Sequence, residues 1–258
     1  MTKAALRDRA RIVLWGIAII GAAQAAALYL AQNHTGAVIA QLVIAEFGTG
    51  RLGVAWSDPL APIPSGAAIA RRALRGASLG AAAAVILLGV SVLLRVAILE
   101  AGTIGIAPIV VGLVLSACIA ARDELLLRGL VLRALGPQVN AAVRLGVCGL
   151  AGAAFRFGTD ASATKTSLAF ALLSSMALAA LWLRDRGAWL AVSANATFVF
   201  LTGPLAHGAL LDLGFPQNAQ SARHVDLDGS LGAVACALVF AASAIAWARK
   251  QESSTMPS

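Results

Sequence analysis

Charge is the first thing this sequence is short of. Of 258 residues only 12% are Asp, Glu, Lys or Arg, about half the share of an ordinary soluble domain. With 59% hydrophobic side chains and a mean hydropathy of +0.83, water cannot be the solvent for most of the surface. Aromatics are scarce at 5%, and Ala and Gly fill their place; small residues allow the close packing on which helix association in lipid relies. Cysteine is limited to Cys118, Cys148 and Cys236. Each is isolated in an apolar stretch, which excludes a disulfide framework and a zinc motif. No cofactor or metal is expected. Histidine is limited to His34, His207 and His224, so none lies between 35 and 206.

What is there in excess is positive charge: 20 Lys and Arg against 12 Asp and Glu, a formal +8. No basic run carries interleaved aromatics, so nucleic acid is set aside as a partner. Basic residues instead flank long apolar runs, as they do at the cytoplasmic ends of membrane spans. Runs long enough to cross a bilayer cover roughly 12–31, 76–98, 104–121, 139–158, 166–183, 187–206 and 230–248. A weaker one covers 36–57 and carries Glu46 and Arg51. The fold class is thus all-α, a polytopic helical bundle of about eight (7–8) transmembrane helices in a single membrane domain, 1–258. Thr49–Ser65 reads as a loop and 251–258 as a polar, disordered tail.

Arg71, Arg72, Arg75, Arg133, Arg144, Arg184, Arg186, Arg249 and Lys250 fall on one side when the spans alternate. Glu100, Asp212, Asp226 and Asp228 fall on the other. With the basic N-terminus (Lys3, Arg7, Arg9, Arg11) on the first side as well, eight crossings satisfy the charges. The expectation is a multi-pass protein of the plasma (inner) membrane, in contact with membrane lipids, with both termini cytoplasmic.

One span breaks the apolar rule. From Thr103 it continues without a breaker to Leu135, where Gly136-Pro137 stops it, and within it lie Asp123, Glu124 and Arg128. At 1.5 Å per residue Glu124 sits about 18 Å from the Gly136 end, inside the membrane. Ionisable groups at that depth are costly and usually functional. Glu124 and Arg128 are four apart and share a face; the arginine would hold the carboxylate ionised and fix its rotamer. Asp123 points about 100° away around the helix. The plainer reading is an ion pair that serves packing alone.

The stretch Asp123-Glu124-Leu125-Leu126-Leu127-Arg128-Gly129 resembles the Glu-Glu-x-x-x-Arg-Gly signature of the CPBP family of intramembrane glutamate endopeptidases. That family includes the type II CAAX prenyl endopeptidases and the bacteriocin-processing or immunity (Abi) proteins. The resemblance spans roughly 65–206, with the signature on a middle helix of about eight. It implies that Glu124 activates water for attack on a peptide bond, that Arg128 orients it, and that Asp123 stands at the first acidic position. The family's two later motifs supply histidines that this chain lacks: Arg156 falls at the first, in Gly152-Ala-Ala-Phe-Arg, and Asn195 at the second. Asn195 can still donate a hydrogen bond to an oxyanion. Arg156 would pair with Asp123 or Glu124 and blunt the carboxylate as a base, or else snorkel to the surface.

Three functions follow as expectations. The first is an intramembrane endopeptidase (a hydrolase) with an altered site acting on a membrane protein or peptide. The second is a pseudoenzyme, a scaffold that binds a membrane partner through the same site. The third is a small ion or solute transporter using Asp123 and Glu124.

Overall fold

The computed structural model describes residues 3–57, 64–95, 97–102, 105–160, 162–206, 211–214 and 230–255. It is a helical membrane bundle. Its helices are α1 (Lys3–Tyr29), α2 (His34–Arg51), α3 (Gly66–Leu93), α4 (Ile106–Asp123), α5 (Leu130–Leu135), α6 (Ala141–Thr159), α7 (Lys165–Asp185), α8 (Trp189–Thr202) and α9 (Leu231–Thr255). A π-helical turn, Glu124–Gly129, joins α4 to α5. The three run on as one apolar helix, Ile106–Leu135, of 30 residues, about 45 Å long. The nine α segments therefore form eight rods among the described residues.

Six rods are long and apolar enough to span a bilayer. Their outward side chains, such as Leu14, Ile17, Leu113 and Leu150, are exposed and apolar, as lipid requires of a surface it solvates. The two other rods differ from the hydropathy reading. α8 has only 14 residues, because the helix begins at Trp189 after a left-handed Arg186 and ends at Thr202. α2 ends at Arg51, short of 57, and the chain turns back through Gly53 at φ +75°.

Local chemistry explains the ends. Asn33, Ser65 and Asn140 cap α2, α3 and α6 by accepting from backbone N–H groups, and Thr164 and Ser167 form a reciprocal capping box on α7, each satisfying N–H groups the helix leaves open. Gly136, at φ +74° and ψ 168°, ends α5 in a positive-φ extended conformation that only glycine adopts readily. Two boundaries correct the sequence reading. Helix α3 begins at Gly66, so Arg71, Arg72 and Arg75 lie within it. The expected disordered tail is helical through Thr255.

The rods alternate in direction, which collects two opposite faces. On one, which we term the basic face, the Arg9 guanidinium lies against Gly136, Arg133 donates to the Leu52 carbonyl at 3.3 Å and Arg72 pairs with Asp185 at 3.2 Å. Arg184 also lies over the Trp247 ring, 4.3 Å from its centroid. Residues 52–57 strap this face: Trp56 packs against Trp189 with centroids 4.9 Å apart and the rings tilted by 36°, its indole N–H is shared between the two Glu46 oxygens at 3.0 and 2.9 Å, and its carbonyl accepts from Ala188. On the other face, β1 (Ile98–Ala101) and β2 (Leu211–Gly214) pair antiparallel, Glu100 opposite Asp212. The connections 99–103 and 207–228, expected to share one side, thus meet in a small ribbon. Asp226, Asp228, His207 and His224 lie outside the described residues.

Small residues set the packing. Gly76 and Gly80, four apart on α3, lie directly on the α8 backbone: a Cβ on Gly76 would strike the Leu190 carbonyl and one on Gly80 the Ala194 carbonyl. Close approach of this kind is what a small-x-x-x-small stripe provides in lipid. Gly149 and Gly152 of α6 do the same against Leu172, Ser175 and Met176 of α7.

Candidate functional site

The π turn lies in the middle of the bundle, touching α2, α6 and α7, and all six of its residues are buried. A π turn carries one residue more than an α turn in the same length and commonly marks a functional site. Its last residue, Gly129, has no space for a side chain: a Cβ there would come within 2.6 Å of Val54 and 3.1 Å of the Trp182 ring. The strap and α7 thus clamp the turn from two sides.

Glu124 opens the turn and is 0% exposed; Arg128 is 4% exposed. Their side chains pair, Nη1 to Oε1, at 3.2 Å. Two further helices reach in. From α8, Asn195 Nδ2 donates to Glu124 Oε1 at 3.3 Å. From α7, Ser175 Oγ accepts from Arg128 Nη2 at 3.0 Å. The α3–α8 contact through Gly76 and Gly80 sets the depth of Asn195, one residue after Ala194. Gly152 leaves the space that Ser175 fills, since a Cβ at 152 would strike Ser175 Oγ. Glu124 Oε2 and Arg128 Nε have no hydrogen-bond partner among the described residues, and Arg128 Nη1 meets Glu124 Oε1 as an ion pair only. Buried groups of this kind are normally satisfied, so the site has hydrogen-bonding capacity to spare, above all one carboxylate oxygen and one guanidinium nitrogen.

Asp123 belongs to a different network. Arg122 pairs with it through both Nε and Nη2 at 2.7 Å, donates from Nη1 to Gln41 on α2, and lies over the Phe155 ring of α6, 5.8 Å from its centroid. The structure therefore brings Glu124, Arg128 and Asn195 together and sends Asp123 elsewhere.

Arg156 requires a correction. It does not form the expected ion pair with Asp123 or Glu124; its carboxylate is Asp160, one turn on along α6, at 3.1 Å. The face that α6 turns inward is Leu145, Cys148, Gly149 and Gly152. Where a histidine was sought, α6 thus offers a small-residue notch, and the polar group that fills it comes from α7.

Ser175 and Arg122 were missed by the sequence reading. Both had a visible signal: Ser175 is a hydroxyl in the middle of an apolar span, and Arg122 is a third charge beside Asp123 and Glu124. Among the described residues no group of three or more His, Cys, Asp or Glu side chains could hold a metal ion. His34 begins α2, at the ribbon end of that rod. Against known proteins, no family model matches the chain and no curated protein matches it.

Proposed function

We propose that the chain is a CPBP-like intramembrane glutamate endopeptidase with an altered site, in which Glu124 activates water. The observation that carries this is the asymmetry of one carboxylate: Oε1 is held by Arg128 and Asn195, while Oε2, fully buried, has no partner among the described residues. An acceptor so placed can take the proton of a water as its oxygen attacks a peptide carbonyl carbon. The second N–H of Asn195 is the donor for the oxyanion that forms. Glu124, now protonated, returns the proton to the nitrogen as the C–N bond breaks. Arg128, held in turn by Ser175, fixes the rotamer of the carboxylate throughout.

In this reading the basic face is cytoplasmic by the positive-inside rule, and the membrane is the plasma membrane. The substrate is a membrane-embedded peptide or protein. The test is purified protein in liposomes with a library of quenched-fluorescent apolar peptides. The wild type should cleave members of it, and Glu124→Gln should lower the rate about 10²–10⁴-fold, the range for a positioned acid–base group. Equal rates for both proteins would end the proposal.

One observation favours a second reading, a catalytically silent relative that binds a membrane partner. Asn195 spends an N–H on Glu124 itself, and no histidine lies within a described span beyond His34 at the head of α2. In that case Glu124→Gln leaves partner binding and any cellular phenotype intact, and only disruption of the bundle removes them.

A further inference from the structure

Helix α3 carries three arginines at its basic-face end, and only one of them has a carboxylate. Arg72 turns to Asp185 at the end of α7 and pairs with it at 3.2 Å. Arg71 and Arg75 are exposed. Among the described residues neither has an acidic partner, and the one side-chain bond of the two runs from Arg71 Nε to the Ala67 carbonyl of its own helix, at 3.4 Å. Four apart, the two guanidinium groups share a helix face and repel each other. An anion held between them relieves that repulsion, and the planar fork of arginine suits the oxygens of a phosphate.

The face they share says what else the occupant must carry. Leu74, between them, is 69% exposed, and the exposed positions continue along α3 through Ser78, Ala82 and Val85, three and four apart as one stripe of a helix. Ser78 turns its hydroxyl back to the Leu74 carbonyl at 2.9 Å, so the stripe is apolar throughout. Helix α3 packs through its other side, chiefly on α8 and α9.

The depth follows from the spacing of charge. No charged residue lies between Arg75 and Arg95. Leu93, the last residue of α3, is about 27 Å along the helix from Arg75 and about 33 Å from Arg71. A hydrocarbon core is about 30 Å thick, so the pair straddles its boundary, at the level of lipid phosphates. The occupant must set an anion on Arg71 and Arg75 and hydrocarbon on the stripe below them. A phospholipid does both, whereas an acidic peptide in water does only the first. Two positive charges without a counter-charge favour a lipid of net negative charge over a zwitterionic one.

We propose that Arg71 and Arg75, with the apolar stripe beneath them, form a site for one anionic phospholipid on the basic face. The site is separate from Glu124 and does not depend on the hydrolytic reading. The residue after Arg75 is Gly76, which rests on the α8 backbone, so the bound lipid also braces the helix contact that sets the depth of Asn195.

Native mass spectrometry of the full chain, released from micelles supplied with dioleoylphosphatidylglycerol or dioleoylphosphatidylcholine, reads the occupancy. The wild type should bind one phosphatidylglycerol more tightly than phosphatidylcholine. Arg71→Gln/Arg75→Gln should weaken that binding about 25-fold, at about fivefold for each basic residue beside an anionic lipid, and remove the preference. Arg11→Gln/Arg51→Gln takes the same charge from exposed positions on α1 and α2, rods that pack on each other and away from α3. It should change the binding less than about threefold, because charges farther apart than a Debye length are screened. Equal losses in the two double variants would mean diffuse surface charge and overturn the site. So would displacement of the lipid by inorganic phosphate at the same concentration, since the stripe would then contribute nothing. Asp58 lies outside the described residues; if phosphatidylglycerol binds only after Asp58→Asn, the arginines are already paired with that carboxylate and the proposal fails. Should Arg71→Gln/Arg75→Gln not fold, the single variants, each expected to lose about fivefold, decide.

Discussion

Ser175→Ala isolates the tertiary part of the buried site. Glu124 and Arg128 lie on one rod, and a membrane helix stays helical when its neighbours separate, so their mutual attraction largely cancels between folded and unfolded states. What folding adds is the bond from Arg128 Nη2 to Ser175 at 3.0 Å on α7 and that from Asn195 to Glu124 at 3.3 Å on α8. Ser175→Ala deletes one oxygen with little change of shape and leaves Nη2 without its partner on a guanidinium whose Nε already has none. A hydrogen bond to a charged group contributes about 1.5–3 kcal/mol in a soluble interior. Interhelical bonds in membranes average about 0.6 and reach about 1.7 kcal/mol. Full burial and a charged donor place this one where the two scales meet, the top of the membrane range and the bottom of the soluble one, about 1–2 kcal/mol.

The assay is reversible unfolding in bicelles or mixed micelles, run as a double-mutant cycle with Arg128→Met. With no guanidinium to satisfy, Ser175→Ala should cost close to nothing, so the coupling should equal the single-mutant loss, about 1–2 kcal/mol. Ser175→Thr, which keeps the oxygen, should recover part of it. An equal cost of Ser175→Ala in both backgrounds would mean that the serine merely packs against α6, and the reasoning would be wrong.

Two further perturbations test the scaffold. Gly80→Val places a Cβ on the Ala194 carbonyl and should destabilise the protein by about 1–3 kcal/mol or more through forced separation of α3 and α8. Gly89→Ala, on the same helix with nothing within 4 Å, should be neutral, and unfolding of the two side by side checks the difference. Trp56→Phe keeps an aromatic ring on Trp189 but loses both bonds to Glu46. It should cost about 0.5–1.5 kcal/mol and speed proteolysis of the strap between α2 and α3.

How much of this was legible beforehand follows from which physics is local. The rod ending at Gly136-Pro137, the pairing of Glu124 with Arg128 and the charge asymmetry between faces depend on periodicity, spacing and hydropathy, all of which a sequence displays. Asn195 was placed through a motif resemblance, and it does reach Glu124. The error at Arg156 came from seeking a distant counter-ion when Asp160, four residues on, was available; an i,i+4 partner needs no tertiary structure and takes precedence over one that does. The π turn was not legible at all. Glu124–Gly129 has the composition of any apolar turn, and the extra residue is accommodated by what clamps it, Val54 and Trp182, which are remote in sequence. The end of α8 at Thr202 was legible but missed: Gly203-Pro204 stops it as Gly136-Pro137 stops α5, although Leu205 and Ala206 prolong the apolar run.

The two adjacent carboxylates show why position on a rod matters more than the motif that contains it. A rotation of about 100° separates Asp123 from Glu124, and the bundle turns that angle into two environments. Asp123 remains partly exposed and takes a neighbouring arginine as counter-ion. Glu124 faces α7 and α8, is fully buried and has one oxygen to spare. Exchanging their roles would require turning the rod, which Gly129 forbids while Val54 and Trp182 hold it. Which carboxylate is buried with an oxygen to spare is thus set by the clamp at the end of the π turn, and a side chain introduced at 129 should displace Glu124 from Asn195 without touching it.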